Sequence, residues 1–120
     1  MKSILIGHRG DPESWPENSL PGFRAVLEAG ACLLETDVQI TADGVAILSH
    51  DSSALRITGS DLPIPSTDYE TLRALPAGYP QRFAERFQDL SIARLDEFVS
   101  LLQQWPNASA FIEIKADSIS

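Results

Sequence analysis

Cysteine is nearly absent from this chain: Cys32 is the only one in 120 residues. An intramolecular disulfide is therefore excluded, as is a cysteine-rich zinc site. Positive charge is also scarce. Nine basic residues stand against seventeen acidic ones, a formal net charge of -8 with both histidines neutral. That balance argues against nucleic-acid backbones and anionic membrane surfaces as partners, while leaving room for a local basic site. No apolar run approaches the ~18 residues that span a bilayer. The run Ser3-Ile4-Leu5-Ile6 before Gly7-His8-Arg9 is too short for a signal-peptide core. These absences predict a cytoplasmic protein with no stable membrane insertion.

What is present is enough for a core. The chain is 43% hydrophobic and 22% charged, which excludes a disordered tail, and its length holds one domain at most. Ile4–Ile6 is a short apolar, partly β-branched run that reads as a buried strand. Asp11-Pro12 and Trp15-Pro16 mark a loop. Ser19 or Asn18 can cap a helix that starts near Leu20, where Pro21 is tolerated in the first turn. Leu20, Phe23, Val26 and Leu27 recur at helical spacing, and Gly30 is placed to end the helix.

Cys32–Ile40 reads as a second strand, Thr41-Ala42-Asp43-Gly44 as a turn, and Val45–Leu48 as a third strand. Residues 52–90 hold Gly59, Pro63, Pro65, Pro76, Gly78 and Pro80, which predicts an irregular excursion rather than core elements. Within it, Thr67 and Glu70 have the spacing of a capping box opening a short helix through Leu75. Leu95, Phe98, Val99 and Leu102 mark an amphipathic helix ending before Pro106, and Ala110–Ile114 a fourth strand. Apolar strands separated by helices predict an α/β protein with a parallel sheet.

Ionisable residues gather at the predicted strand ends: His8-Arg9, then Glu35 and Asp37, then His50-Asp51, then Glu113 and Lys115. In α/β barrels the active site lies at that end of the strands. Glu35 and Asp37 are two apart, so their side chains share one face. They are either the carboxylate ligands of a hard cation such as Mg²⁺ or Ca²⁺, with Glu113 as a third, or the solvated face of an edge strand. His8 and His50 are the only histidines. Each is either a general acid or base or a hydrogen-bonded structural residue. Arg9 either clamps a phosphate or pairs with Asp11 or Glu13.

These residues carry a resemblance. His8-Arg9-Gly10, Pro16-Glu17-Asn18-Ser19, Glu35-Thr36-Asp37-Val38, Thr41-x-Asp43-Gly44, His50-Asp51 and Glu113-Ile114-Lys115, in this order, resemble the glycerophosphodiester phosphodiesterase family. The resemblance spans nearly the whole chain and is weakest over 52–90. It implies a TIM (β/α)₈-type barrel of which about the first four strands are here, since such barrels run to ~250 residues. It implies metal-dependent hydrolysis of a glycerophosphodiester to an alcohol and glycerol 3-phosphate, the work of a phosphoric diester hydrolase. His8 and His50 would be the acid/base pair. Glu35, Asp37 and Glu113 would bind Mg²⁺ or Ca²⁺, Arg9 and Lys115 would hold the phosphate, and Glu17 and Asn18 would shape the edge of the site.

The sequence departs from the family's Pro-Thr-Leu-x-Glu lead-in to the last helix, where Ala93-Arg94-Leu95-Asp96-Glu97 stands. An arginine cannot accept from free helix N–H groups, so Arg94→Thr is expected to stabilise the helix start. The first and fourth strands would be open edges, which predicts self-association or a partner chain that completes the barrel, or else a truncated product of a longer gene with the same exposed edges. The rival reading is a catalytically incompetent half-barrel that binds metal, phosphate or a partner chain. A phospholipase acting on lipid head groups from a similar barrel is a weaker third.

Overall fold

The computed structural model describes residues 6–115, so Ile4 and Leu5 of the first expected strand lie outside the described residues. Strand β1 is Ile6–His8, followed by helix α1 (Leu20–Glu28), β2 (Leu33–Ile40) and β3 (Ala46–Leu48). Three short helices follow: α2 (Leu55–Thr58), α3 (Tyr69–Arg73) and α4 (Pro80–Phe83). A 3₁₀ turn at Ile64–Ser66 lies between α2 and α3. Helix α5 (Leu95–Leu102) and strand β4 (Ser109–Ile114) complete the order. No helix among the described residues is long and apolar enough to cross a membrane.

β2 is the centre of the sheet. It pairs in parallel with β1, His8 standing opposite Glu35, and in parallel with β4, Asp37 standing opposite Glu113. β3 differs from the parallel arrangement expected. It runs antiparallel to β2, with Val38 opposite Leu48 and Ile40 opposite Ala46. The cause is the tight turn before it. Thr41 N–H donates to the Val45 carbonyl and the Thr41 hydroxyl accepts from Val45 N–H, both at 3.0 Å, so the chain doubles back on itself. The carbonyls of Glu35 and Asp37 accept from Arg9 and Ser49, whereas that of Val38 accepts from Lys115. β1 and β3 thus share one edge of β2, end to end, and β4 takes the other. Three of the four strands are parallel.

The register divides the sheet into two faces. Gly7, Leu34 and Val38 look toward the helices, where Leu34 and Val38 are buried with Phe23, Leu27, Phe98 and Leu101. Phe23 and Phe98 meet edge to face, with centroids 4.8 Å apart, and join α1 to α5. At Gly7, α1 comes close to the sheet. A Cβ there would lie 2.7 Å from both Val26 and Leu34. Ile6, His8, Glu35, Asp37, Glu113 and Lys115 belong to the opposite face, which α1 and α5 leave uncovered.

Helix α1 starts as expected, with Ser19 Oγ accepting from Gly22 N–H at 3.2 Å, and Gly30 leaves it at a φ of 106°. Helix α3 does not. Thr67 donates its hydroxyl to the Pro63 carbonyl and Glu70 pairs with Arg73, so the expected capping box is not made. Asp43, from the β2–β3 turn, accepts from Tyr69 N–H at 3.0 Å instead. Bonds from Thr41 and from Tyr69 hold the Asp43 carboxyl below its usual range. The excursion also has more core than its prolines and glycines predict. Ile64, Tyr69, Leu72 and Ala77 bury a second apolar cluster against Ile47 of β3.

At α5, Glu97 accepts from the Arg94 backbone N–H at 2.9 Å. The Arg94 guanidinium pairs with Asp96 at 2.8 Å and lies 5.7 Å from the Tyr69 ring centroid. A threonine at this position would forfeit both contacts, so the gain expected of Arg94→Thr is offset.

Candidate active site at the strand ends

Two residues between β1 and α1 are held in an uncommon backbone conformation. Arg9 and Asn18 have φ of 55° and 57°. Asparagine tolerates this region and arginine does so at a cost of about 1–2 kcal/mol. Backbone bonds over-determine both: Arg9 N–H donates to Glu35 O, and Asn18 N–H to Arg9 O, each at 2.8 Å. The result turns the Arg9 side chain over the ends of β1 and β2.

Asp37 is the centre of the site. It is 4% exposed. Lys115 Nζ lies 3.3 Å from its Oδ1, Arg9 Nε 3.1 Å from its Oδ2, and Asn18 Nδ2 donates to Oδ2 at 3.2 Å. The Arg9 Nε contact is one of charge, because that buried N–H is not aligned for a hydrogen bond. Asn18 is fixed in turn by Thr36, whose hydroxyl donates to Asn18 Oδ1 at 2.9 Å. Such a buried carboxylate needs cationic partners to offset desolvation. Asp37 also lies on the central strand, so the reading of Glu35 and Asp37 as a solvated edge face fails.

From Asp37 the charges alternate in both directions. On one side Lys115 also bonds Glu113, at 3.1 Å. Burial opposes the lysine's charge, yet its bonds to Glu113 and Asp37 outweigh that and hold its pKa above the ordinary value. On the other side Arg9 reaches Glu17 at 3.5 Å, and not Asp11 or Glu13. Glu17 meets Arg56 at 2.6 Å, Arg56 meets Asp51 at 2.8 Å, and Asp51 meets His50 Nδ1 at 3.1 Å. Arg56 holds the Asp51 carboxyl below its usual range, first by its hydrogen bonds. Four carboxylates and three cations thus form one chain of contacts across the strand ends. His8 stands beside it, Nε2 3.7 Å from Glu35 Oε2 and 61% exposed.

All nine residues expected at the site fall on this end of the sheet. Their arrangement differs from expectation in one respect. Glu35, Asp37 and Glu113 share a face but are not gathered: Lys115 stands between Asp37 and Glu113, and Glu35 is beside His8. Among the described residues no three of His, Cys, Asp or Glu form a group that could hold a metal ion. The donor chemistry nevertheless suits a hard cation, since all three offer carboxylate oxygens and Glu35 and Glu113 have theirs partly in solvent. The face is also open. A cavity of about 20 Å³ beside Glu17, Asn18 and His50 has room for about one water molecule.

Two participants have no counterpart among the expected residues. Arg56 belongs to α2, in the irregular stretch, where the only hint was a lone arginine five residues past Asp51. Gln39 is buried and donates to the His50 carbonyl at 3.3 Å. Its hint was its place two residues beyond Asp37, on the same face of the same strand.

Comparison with known proteins agrees with this geometry. The profile of the "Glycerophosphoryl diester phosphodiesterase family" matches residues 8–120. A glycerophosphodiester phosphodiesterase of Caldanaerobacter subterraneus subsp. tengcongensis is 35% identical over 102 residues, which cover 85% of this chain and 41% of that protein. Mouse glycerophosphodiester phosphodiesterase 1 is 32% identical over 110 residues, 92% of this chain and 33% of its own length. Among solved structures, the glycerophosphodiester phosphodiesterase of Agrobacterium tumefaciens superposes with a TM-score of 0.84 at 30% identity, over 94% of this chain and 47% of that one. An Oleispira antarctica phosphodiesterase, solved with the product sn-glycerol-3-phosphate, gives 0.84 at 28% identity, over 94% and 44%. The chain spans less than half the length of each of these relatives. Its partial parallel sheet and helices are those of a TIM-type barrel, and the chain belongs to the glycerophosphoryl diester phosphodiesterase family.

Proposed function

We propose that these strand ends form the active face of a metal-dependent phosphodiesterase that converts a glycerophosphodiester to an alcohol and glycerol 3-phosphate. The observation that carries the reading is the alternating chain of charges around Asp37, with His8 beside it and His50 at its end. Arg9 and Lys115 are cations fit to hold phosphoryl oxygens once a substrate competes for them. The Oleispira antarctica relative was solved with sn-glycerol-3-phosphate as product, which supports the substrate class.

Glu35, Asp37 and Glu113 would hold Mg²⁺ or Ca²⁺, with Lys115 giving up its bond to Glu113. When bound, the ion would stabilise charge on the phosphoryl oxygens. One histidine takes the proton of a glycerol hydroxyl as its oxygen bonds to phosphorus, and the other protonates the departing alcohol oxygen. Water then opens the resulting cyclic phosphate, the two rings exchanging roles, to leave glycerol 3-phosphate. Asp51 orients the His50 ring through Nδ1 and leaves Nε2 for the proton.

Completion of the barrel is part of the proposal. Among the described residues the outer edges of β1 and β4 are unpaired, and Ile6, Phe111 and Ile114 are 47%, 70% and 56% exposed. Further strands, from the rest of a longer chain, a second copy or another chain, would cover them.

The metal is tested by titration calorimetry with Mg²⁺ and Ca²⁺. Glu35→Gln and Glu113→Gln are each expected to weaken binding about tenfold or more, because each removes a charged oxygen ligand. Equal affinity in the wild type and both variants, or no binding at all, would refute the ligand assignment.

A further inference from the structure

We propose that Arg56 is a positioning residue for the His50 acid/base group, a role that rests on the proposed phosphodiesterase chemistry. Its guanidinium makes two forked contacts at once. Nη1 and Nη2 donate to the two oxygens of Glu17, at 2.6 and 3.0 Å. Nε and Nη2 donate to the two oxygens of Asp51, at 2.8 and 3.1 Å. The planar fork suits this geometry, and a lysine ammonium, a point charge, cannot reproduce it.

The side chain is itself held in place. Its guanidinium lies 5.3 Å from the Tyr79 ring centroid, and Tyr79 N–H donates to the Ile57 carbonyl at 2.8 Å. Glu17 is 7% exposed on the loop before α1, and Asp51 follows β3. Arg56 therefore fastens together the two loops that leave β1 and β3 where the ends of those strands meet along β2. Through Asp51 it fixes the direction of the His50 ring, and through Glu17 it supports Arg9. A small misplacement of an acid/base group costs up to about 10²-fold in rate.

The test is Arg56→Lys, which keeps a positive charge beside the buried Glu17, with Arg56→Gln as the harsher variant. Arg56→Lys is expected to lower kcat roughly tenfold or more and to leave KM within about twofold, because ring placement matters in the transition state. Ring ¹H–¹³C spectra of the unliganded protein give a second readout, made simple by there being two histidines. The His50 signals should move in Arg56→Lys, while those of His8, whose contact is Glu35, should stay. Unmoved His50 signals, or a raised KM with unchanged kcat, would overturn the proposal. If the wild type itself shows no turnover, the functional reading fails, and the ring spectra alone decide whether Arg56 positions His50.

Discussion

Turnover of a glycerophosphodiester is expected to fall roughly 10²–10⁴-fold when His8 or His50 is replaced by alanine in the active assembly, the usual worth of a positioned acid or base. The two sites differ in what else they lose. His8 is 61% exposed and its ring meets the Glu35 carboxylate, so His8→Ala should leave the unfolding midpoint nearly unchanged. A drop in rate there is a drop in chemistry. His50 is tied to Asp51 by its ring and to Gln39 by its carbonyl. The carbonyl bond survives in His50→Ala, so the loop should keep its place while the ring is lost. Steady-state kinetics with thermal melts on each variant separates the two effects. Full turnover in His8→Ala would reject the assignment of the pair.

Asp37→Ala should be the most damaging single change to stability at the site. It leaves Arg9 Nε buried without its nearest carboxylate, strips Lys115 of one partner and removes the acceptor of Asn18. Removing one member of a buried ion pair costs about 3–5 kcal/mol. The lower end applies, because Arg9 and Lys115 are 23% and 18% exposed and water can partly replace the carboxylate. Asp37→Asn should cost less, since a carbonyl oxygen still accepts from Asn18. Activity should vanish in both. Chemical denaturation measures the difference, and a midpoint for Asp37→Ala equal to the wild type would show that the charge chain contributes nothing to the fold.

The sequence was most legible where local pattern and tertiary role coincide. The Ser19 cap, the Phe23–Val26–Leu27 stripe and the Gly30 stop are short-range signals, and α1 follows them. Period two on β2 was enough to put Glu35 and Asp37 on one face. What was not legible depends on contacts distant in sequence. Strand β3 is the exception: the tight turn at 41–44 that makes it antiparallel is a local signal, but its apolar run reads like that of a buried parallel strand. Thr67 has a capping spacing, but Pro63 and Asp43 offer better partners, and Asp43 is 26 residues from the Tyr69 N–H it caps. Arg56 meets Glu17 across 39 residues, in a stretch with no periodic pattern to mark it. The motifs indicated which carboxylates share the strand ends. They could not indicate that Lys115 would stand between Asp37 and Glu113, because that depends on the β2–β4 register.

This face, once the barrel is complete, is expected to hydrolyse glycerophosphodiesters. Phosphorus NMR of glycerophosphocholine tests it most directly, with the protein supplied Mg²⁺ or Ca²⁺ and its mass followed by light scattering in the same sample. The expected result is that the diester signal gives way to that of glycerol 3-phosphate in assemblies heavier than the 13.1 kDa chain, and that conversion stops on chelation. An unchanged diester signal in every assembly state with either cation, or conversion that persists under chelation, would contradict it.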